Sequence, residues 1–201
     1  MRQVFTERDV PSSGQWNVAV GSIVTPSARD LARERGVCLV ELPANQISIL
    51  ARPDQTVAIG SDHGGFAMKK ILLPLLEELG LSARDVGVFE EKPADYPDIA
   101  LMVTVLVAEG RTSRGIILDG AGIGSCMAAN KVRGIRAAVC WDVASARNSR
   151  EHNNANVLTL GGRLLTDSQA ETIVRTWLST PFAGGRHEGR IAKMMEIEKR
   201  P

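Results

Sequence analysis

The residues best suited to chemistry stand in one run, Gly115-Ile116-Ile117-Leu118-Asp119-Gly120-Ala121-Gly122-Ile123-Gly124-Ser125-Cys126-Met127-Ala128-Ala129-Asn130-Lys131. It opens as a short apolar stretch that reads as a buried strand. It then breaks into a loop with glycine at every second position, and closes Ala-rich, which favours helix. Glycines let a backbone approach a ligand closely, and the free N–H groups at a helix start attract negative charge. Such a loop, through Gly120, Gly122 and Gly124, suits a phosphate, a carboxylate or an enediolate. Asp119 ends the strand, where parallel sheets place their chemistry. It is a candidate acid–base; the alternative is a carboxylate that caps the helix or braces the loop.

Three further sets carry reactive side chains: Asp62-His63-Gly64-Gly65, the run from Ser149 through His152 and Asn153 to Asn156, and the late turn Gly184-Gly185-Arg186-His187-Glu188-Gly189-Arg190. All three histidines of the chain fall in them. His63 and His152 can move protons near neutral pH. Asp62 can orient a histidine or cap a loop, and Asn153 can bind a hydroxyl or satisfy backbone groups. Arg186 and Arg190, four apart at a helix start, can converge on one anion, and guanidinium forks suit phosphate oxygens. The bland alternative is a solvated basic helix end. No two histidines have metal-ligand spacing, so no metal is expected. Cys126 reads as core rather than nucleophile.

Positioning these residues requires repeated strand–helix units. Strands are expected at Thr56 to Gly60, Asp85 to Phe89, Gly115 to Leu118, Ile135 to Trp141 and Asn156 to Leu160. Helices are expected at Phe66 to Leu79, Ile99 to Glu109 (apolar all round and so well buried), Val143 to His152, Asp167 to Leu178 and His187 to Lys199. The pattern implies a parallel sheet covered on both faces by right-handed crossovers. On this reading the reactive loops, with the late turn, gather along one edge of the sheet. Ahead of this domain, residues 1–52 form an extension. It comprises a loose arm over Val4 to Gln15, a strand at Val18 to Val24, a helix opened by Thr25-Pro26 and stopped at Gly36, and a strand at Val37 to Leu42. A linker near Ala51 to Asp54 leads into the main domain, residues 53–201.

Composition narrows the function classes. Of 201 residues, 44% are hydrophobic and 23% charged, and the net charge of +1 leaves no basic surface for nucleic acid. The most apolar segment, Ile99 to Ala108, is too short to span a membrane. Cys38, Cys126 and Cys140 are far apart and odd in number, which fits reduced thiols in a cytoplasmic protein without a signal peptide.

Taken together, Gly60-Ser61-Asp62-His63-Gly64-Gly65-Phe66, Asp95-Tyr96-Pro97, Gly122-Ile123-Gly124 through Asn130-Lys131, Ser149-Arg150-Glu151-His152-Asn153-Asn154-Ala155-Asn156-Val157 and Gly184-Gly185-Arg186-His187 resemble the ribose-5-phosphate isomerase B family and its galactose-6-phosphate isomerase relatives. The resemblance implies a Rossmann-like three-layer α/β/α fold with a five-stranded parallel sheet, beside a small N-terminal helix/strand appendage. It implies a homodimer with shared active sites, or a tetramer built from it, and no cofactor. It also implies aldose–ketose isomerisation of a phosphorylated sugar through an enediolate. His63 and His152 match residues that open the sugar ring and contact its hydroxyls, Asp62 and Asn153 match substrate-binding positions, and Arg186 and Arg190 match phosphate ligands. One departure matters. Many members carry their cysteine base where this chain has Asp119, and a threonine or serine where it has Ala121; others carry a glutamate base at the position of Ser125. Asp119 is the replacement this sequence offers.

Residues Val24 to Val37 resemble a segment of some bacterial microcompartment-associated proteins, which implies a compartment or partner for the extension. Two other functions compete. A non-catalytic sugar-phosphate-binding homologue would keep the histidines and arginines. A dinucleotide enzyme would use Gly120-x-Gly122 and Asp142, but the third fingerprint glycine is replaced by Ser125.

Overall fold

The structure is a computed structural model that describes residues 4–10, 15–42 and 55–199. The chain divides into two compact units, Met1–Arg52 and Pro53–Pro201. The linker expected near Ala51 to Asp54 lies outside the described residues.

In the first unit, β1 (Val4–Phe5) pairs in parallel with β3 (Ile23–Val24), and β2 (Gln15–Ala19) with β4 (Cys38–Leu42). Helix α1 (Pro26–Glu34) starts as expected: the Thr25 hydroxyl accepts the Ala28 N–H at 3.3 Å, with proline at the first helical position. A small core of Trp16, Val18, Val24, Ala28, Ala32 and Val37 is closed by Phe5, set edge-on to Trp16 at 5.9 Å. Two expectations need correction. The segment read as one strand over Val18 to Val24 is split by a turn at Gly21, whose φ is +84°. The described residues of the supposed loose arm are structured: beyond β1, the Thr6 N–H donates to Asp9 Oδ2 at 2.7 Å and fixes a short 3-10 turn over Glu7–Asp9.

The second unit is a five-stranded parallel sheet in the order β6-β5-β7-β9-β8. Its strands are β5 (Thr56–Ser61), β6 (Ser82–Gly87), β7 (Arg114–Asp119), β8 (Ala137–Val139) and β9 (Val157–Gly161). Alternation along the strands fills two cores. Val57, Ile59, Ile116, Leu118, Leu158 and Leu160 face α2 (Phe66–Glu78), α5 (Val143–Glu151) and α6 (Asp167–Ser179). Ala58, Ile117 and Val157 face α3 (Tyr96–Ala108) and α4 (Ile123–Ala129). A last helix, α7 (Arg186–Ile197), follows α6. This is the expected three-layer, Rossmann-like arrangement.

Three details differ from the sequence reading. Strand β6 starts at Ser82 rather than Asp85, because pairing Thr56 with Ser82 and Ser61 with Gly87 sets its register, and Gly87 at φ +111° ends it. Strand β8 is shorter than Ile135 to Trp141; Arg136 is already tied by its N–H to Asn156 Oδ1 at 2.7 Å, outside the ladder. Helix α3 is not buried all round: Ile99, Ala100, Val103 and Leu106 are, while Leu101 and Met102 are 53% and 43% exposed in the single chain.

Candidate active site

The strand order reverses between β5 and β7, and the crevice at the carboxyl ends of such strands is where open α/β sheets bind ligands. Three connections meet there: residues 62–65 after β5, 119–122 after β7 and 161–163 after β9. They interlock through backbone hydrogen bonds, Asp62 N–H to Leu118 O at 3.1 Å, Gly162 N–H to Asp119 O at 2.7 Å and Arg163 N–H to Gly120 O at 3.1 Å. Glycine makes this possible. A Cβ on Gly65 would stand 2.4 Å from Leu118 O, and Gly122 has a φ of +78° and leaves no room for a Cβ, which would stand 2.9 Å from the Leu160 carbonyl carbon.

Asp62 and Asp119 are both buried, and each organises its own loop. Asp62 Oδ1 accepts the N–H groups of Gly64 at 2.7 Å and Gly65 at 3.0 Å. Asp119 Oδ1 accepts those of Ala121, at 2.7 Å, and Gly122, while its Oδ2 accepts that of Ser125 at 2.9 Å. The donors expected to greet an anion are thus gathered on the chain's own carboxylate. His63 is half-buried, and its Nδ1 has no hydrogen-bond partner among the described residues. Neither thiol of this domain supplies a ready base. Burial pushes the Cys126 thiol above its ordinary value and Cys140 to about 11.

Two further side chains stand at this edge: Tyr96, read in the sequence only as part of the Asp95-Tyr96-Pro97 motif and given no role, and Arg163, which had no place in the sequence reading. The ring of Tyr96, which opens α3, lies 2.8 Å from where a Cβ of Gly124 would be, and so covers the loop. The exposed side chain of Arg163 passes Gly120, its Cδ 3.7 Å from the corresponding Cβ position. The signal for Arg163 was its place directly after Gly161-Gly162, at the end of a strand.

The other expected residues stand at the opposite edge, which corrects the reading of one shared edge. Only loops that follow strands reach the carboxyl edge. Residues 152–156 follow a helix and precede β9, so they lie at the amino ends of the strands, where the Gly115 N–H donates to Asn156 O at 2.9 Å. Residues 180–186 arrive at the same edge from α6, and the Ala183 N–H donates to Glu151 O at 3.0 Å. Here His152 and His187 stack with centroids 4.3 Å apart and planes 9° apart. His152 Nδ1 pairs with Asn148 Nδ2 at 2.8 Å. Together with Asn153 and Arg190 they line a cavity of about 200 Å³. Burial, then the neighbouring His152, Arg186 and Arg190, holds His187 below the ordinary histidine pKa. Arg186 and Arg190 are exposed on the first turns of α7.

Comparison with known proteins decides the family. Residues 57–194 match the ribose/galactose isomerase family. The chain belongs to that family. It is 41% identical to ribose-5-phosphate isomerase B of Escherichia coli over 144 residues, 72% of this chain and 97% of that protein. It is 38% identical to D-erythrulose-4-phosphate isomerase of Pectobacterium atrosepticum over 141 residues, 69% of this chain and 92% of that protein. The solved ribose-5-phosphate isomerase B of Clostridium thermocellum superposes with a TM-score of 0.71 at 47% identity, covering 72% of this chain and 97% of the other. Membership makes this protein a sugar-phosphate isomerase of the ribose-5-phosphate isomerase B type, an aldose–ketose isomerase. No helix among the described residues is long and apolar enough to cross a membrane.

Proposed function

We propose that the protein interconverts a five-carbon aldose phosphate and its ketose, of the ribose 5-phosphate/ribulose 5-phosphate kind, with Asp119 carrying the proton between C1 and C2. The observation that carries this reading is the seat of Asp119, a buried carboxylate at the sheet's switch point among three backbone donors. From the aldose, the carboxylate takes the C2 proton and an enediolate forms. The carboxyl, whose proton exchanges with solvent during the lifetime of the enediolate, then protonates C1 while the O2 proton passes to O1, leaving the ketone at C2. One negative charge moves from Asp119 to the enediolate and back. The N–H groups of Ala121, Gly122 and Ser125 fix the carboxylate at the switch point, so that it is held in place for the transfer in both directions. His63 and His152 serve ring opening and the hydroxyls, Asp62 and Asn153 hold the substrate, and Arg186 and Arg190 hold its phosphate.

Since these groups occupy opposite edges of the sheet, a complete site joins the carboxyl edge of one protomer to the amino edge of its partner. A face bearing the exposed Leu101, Met102, Ile123 and Met127 supports a homodimer. A cytoplasmic setting accords with three free thiols. None of the named site residues belongs to the N-terminal unit; its sequence resemblance supports docking to a partner or compartment.

The hydrogen bonds of Asp119 also favour a second reading, in which it braces the loop and His63 moves the proton. Steady-state turnover on four- to six-carbon aldose phosphates, wild type against Asp119→Asn and His63→Gln, tests both. The first reading expects pentose phosphate turnover that collapses in Asp119→Asn. Collapse only in His63→Gln selects the second, and no turnover of any aldose phosphate contradicts both.

A further inference from the structure

The two segments that build the amino-edge half-site are held together by a residue outside it. Arg150, in the last turn of α5, is 6% exposed, yet its partners are carbonyl and amide oxygens rather than a carboxylate. Its Nη1 donates to Asn154 Oδ1 at 3.0 Å and to Ala155 O, both in the loop that carries His152 and Asn153. Its Nε donates to Thr180 O at 3.2 Å, where the chain leaves α6 for the turn that delivers Arg186, His187 and Arg190. The guanidinium carbon lies 5.6 Å from the Trp177 ring centroid, a cation–π contact that adds a further hold on the group. Burial, with Arg114 and Arg136 nearby, pushes Arg150 down to about 10, which leaves it charged at neutral pH. Asn154 holds a φ of +45°, unusual for a residue with a side chain, and this places its Oδ1 in the bridge.

We propose that Arg150 is a positioning residue of the phosphate half-site, setting the spacing between the His152–Asn153 loop and the turn bearing Arg186, His187 and Arg190 without touching substrate. The inference rests on the reading of Arg186 and Arg190 as phosphate ligands. The fork geometry is the essential feature. A lysine ammonium keeps the charge but cannot reach both segments from one plane while lying over Trp177. Loosening the bridge weakens ground-state grip on the phosphate more than it slows proton transfer at the other end of the sugar.

The test compares wild type, Arg150→Lys, Asn154→Gly and Arg186→Ala in three measurements: kcat and KM for ribose 5-phosphate, inhibition by inorganic phosphate, and the NMR titration of the His152 and His187 rings. Asn154→Gly removes one acceptor of the bridge at a φ that glycine adopts freely, so it remains informative if Arg150→Lys folds poorly. The expected result is that Arg150→Lys raises KM and the phosphate inhibition constant together by about tenfold, with kcat within about twofold. Asn154→Gly shifts them in the same direction by less, and in both variants the His187 titration moves back toward ordinary histidine. Unchanged KM and unchanged ring titrations in soluble Arg150→Lys overturn the proposal, as does activity lost only in proportion to folded protein. If Arg186→Ala leaves phosphate inhibition unchanged, the phosphate reading fails by itself, and the ring titrations still decide whether Arg150 sets the spacing.

Discussion

Placing the two half-sites on opposite edges makes a quantitative prediction about mixed dimers. Strand β9 has five residues, so the edges lie about 15 Å apart at roughly 3.3 Å per residue. A five-carbon sugar phosphate is shorter than that span and cannot reach Asp119 and Arg186 of one chain. Asp119→Asn damages the carboxyl edge, and Arg186→Ala, at an exposed position, damages the amino edge. Each homodimer then has two broken sites. Random reassortment of equal amounts makes about half of the dimers mixed. Each mixed dimer has one site with both wild-type edges and one with neither, so about a quarter of wild-type activity should return. The assay is ribose 5-phosphate turnover before and after reassortment, with mixed dimers counted by native mass spectrometry. Activity that stays at the mean of the two variants, with mixed dimers present, would refute the reasoning and return the site to a single chain.

Three further outcomes follow from packing and charge. Gly65→Ala puts a Cβ 2.4 Å from the Leu118 carbonyl oxygen, in the backbone of a central strand, and should cost at least ~2 kcal/mol by urea titration; an unchanged midpoint contradicts it. Lys69, 1% exposed, donates to Asp85 Oδ1 at 2.7 Å and to Val88 O, so Lys69→Met leaves a carboxylate unpaired and should cost about 2 kcal/mol, less than for a fully buried pair because Asp85 keeps 23% exposure; an unshifted thermal midpoint contradicts it. His187 sits below its ordinary value of 6.5, so the unfolded chain binds more protons. Its contribution to stability is therefore complete above about pH 6.5 and declines as pH falls through that value; His187→Asn should flatten this part of the profile, and an identical slope contradicts the assignment.

Much of this was legible in the sequence because local chemistry announced it. Thr25-Pro26, Asp142 and the glycine loop after Asp119, whose Gly122 is the N-cap, mark helix starts through capping and backbone freedom, and the helices stand there. Short apolar runs in β5, β7 and β9 identified the central strands. The start of β6 was less legible, because Ser82 to Arg84 carries little apolar pattern and takes its register from β5. The candidate site residues could be named by type in the sequence, but not by their place in the fold. His152 and Asn153 follow a helix, and the parallel topology sends such a connection to the amino edge. The sequence offered a loop-bracing carboxylate as the alternative for Asp119, but spacing could not decide that it engages the loop's own donors, since that depends on how Gly122, at φ +78°, turns the backbone toward it.

The central claim is that Asp119 moves a carbon-bound proton of a sugar phosphate. The most direct measurement is solvent exchange in D2O, followed by NMR at C1 and C2 of ribose 5-phosphate and ribulose 5-phosphate, with wild type against Asp119→Asn. The account predicts deuterium at those carbons with wild type and exchange slowed by at least about 100-fold in the variant. Exchange by Asp119→Asn at the wild-type rate would contradict it.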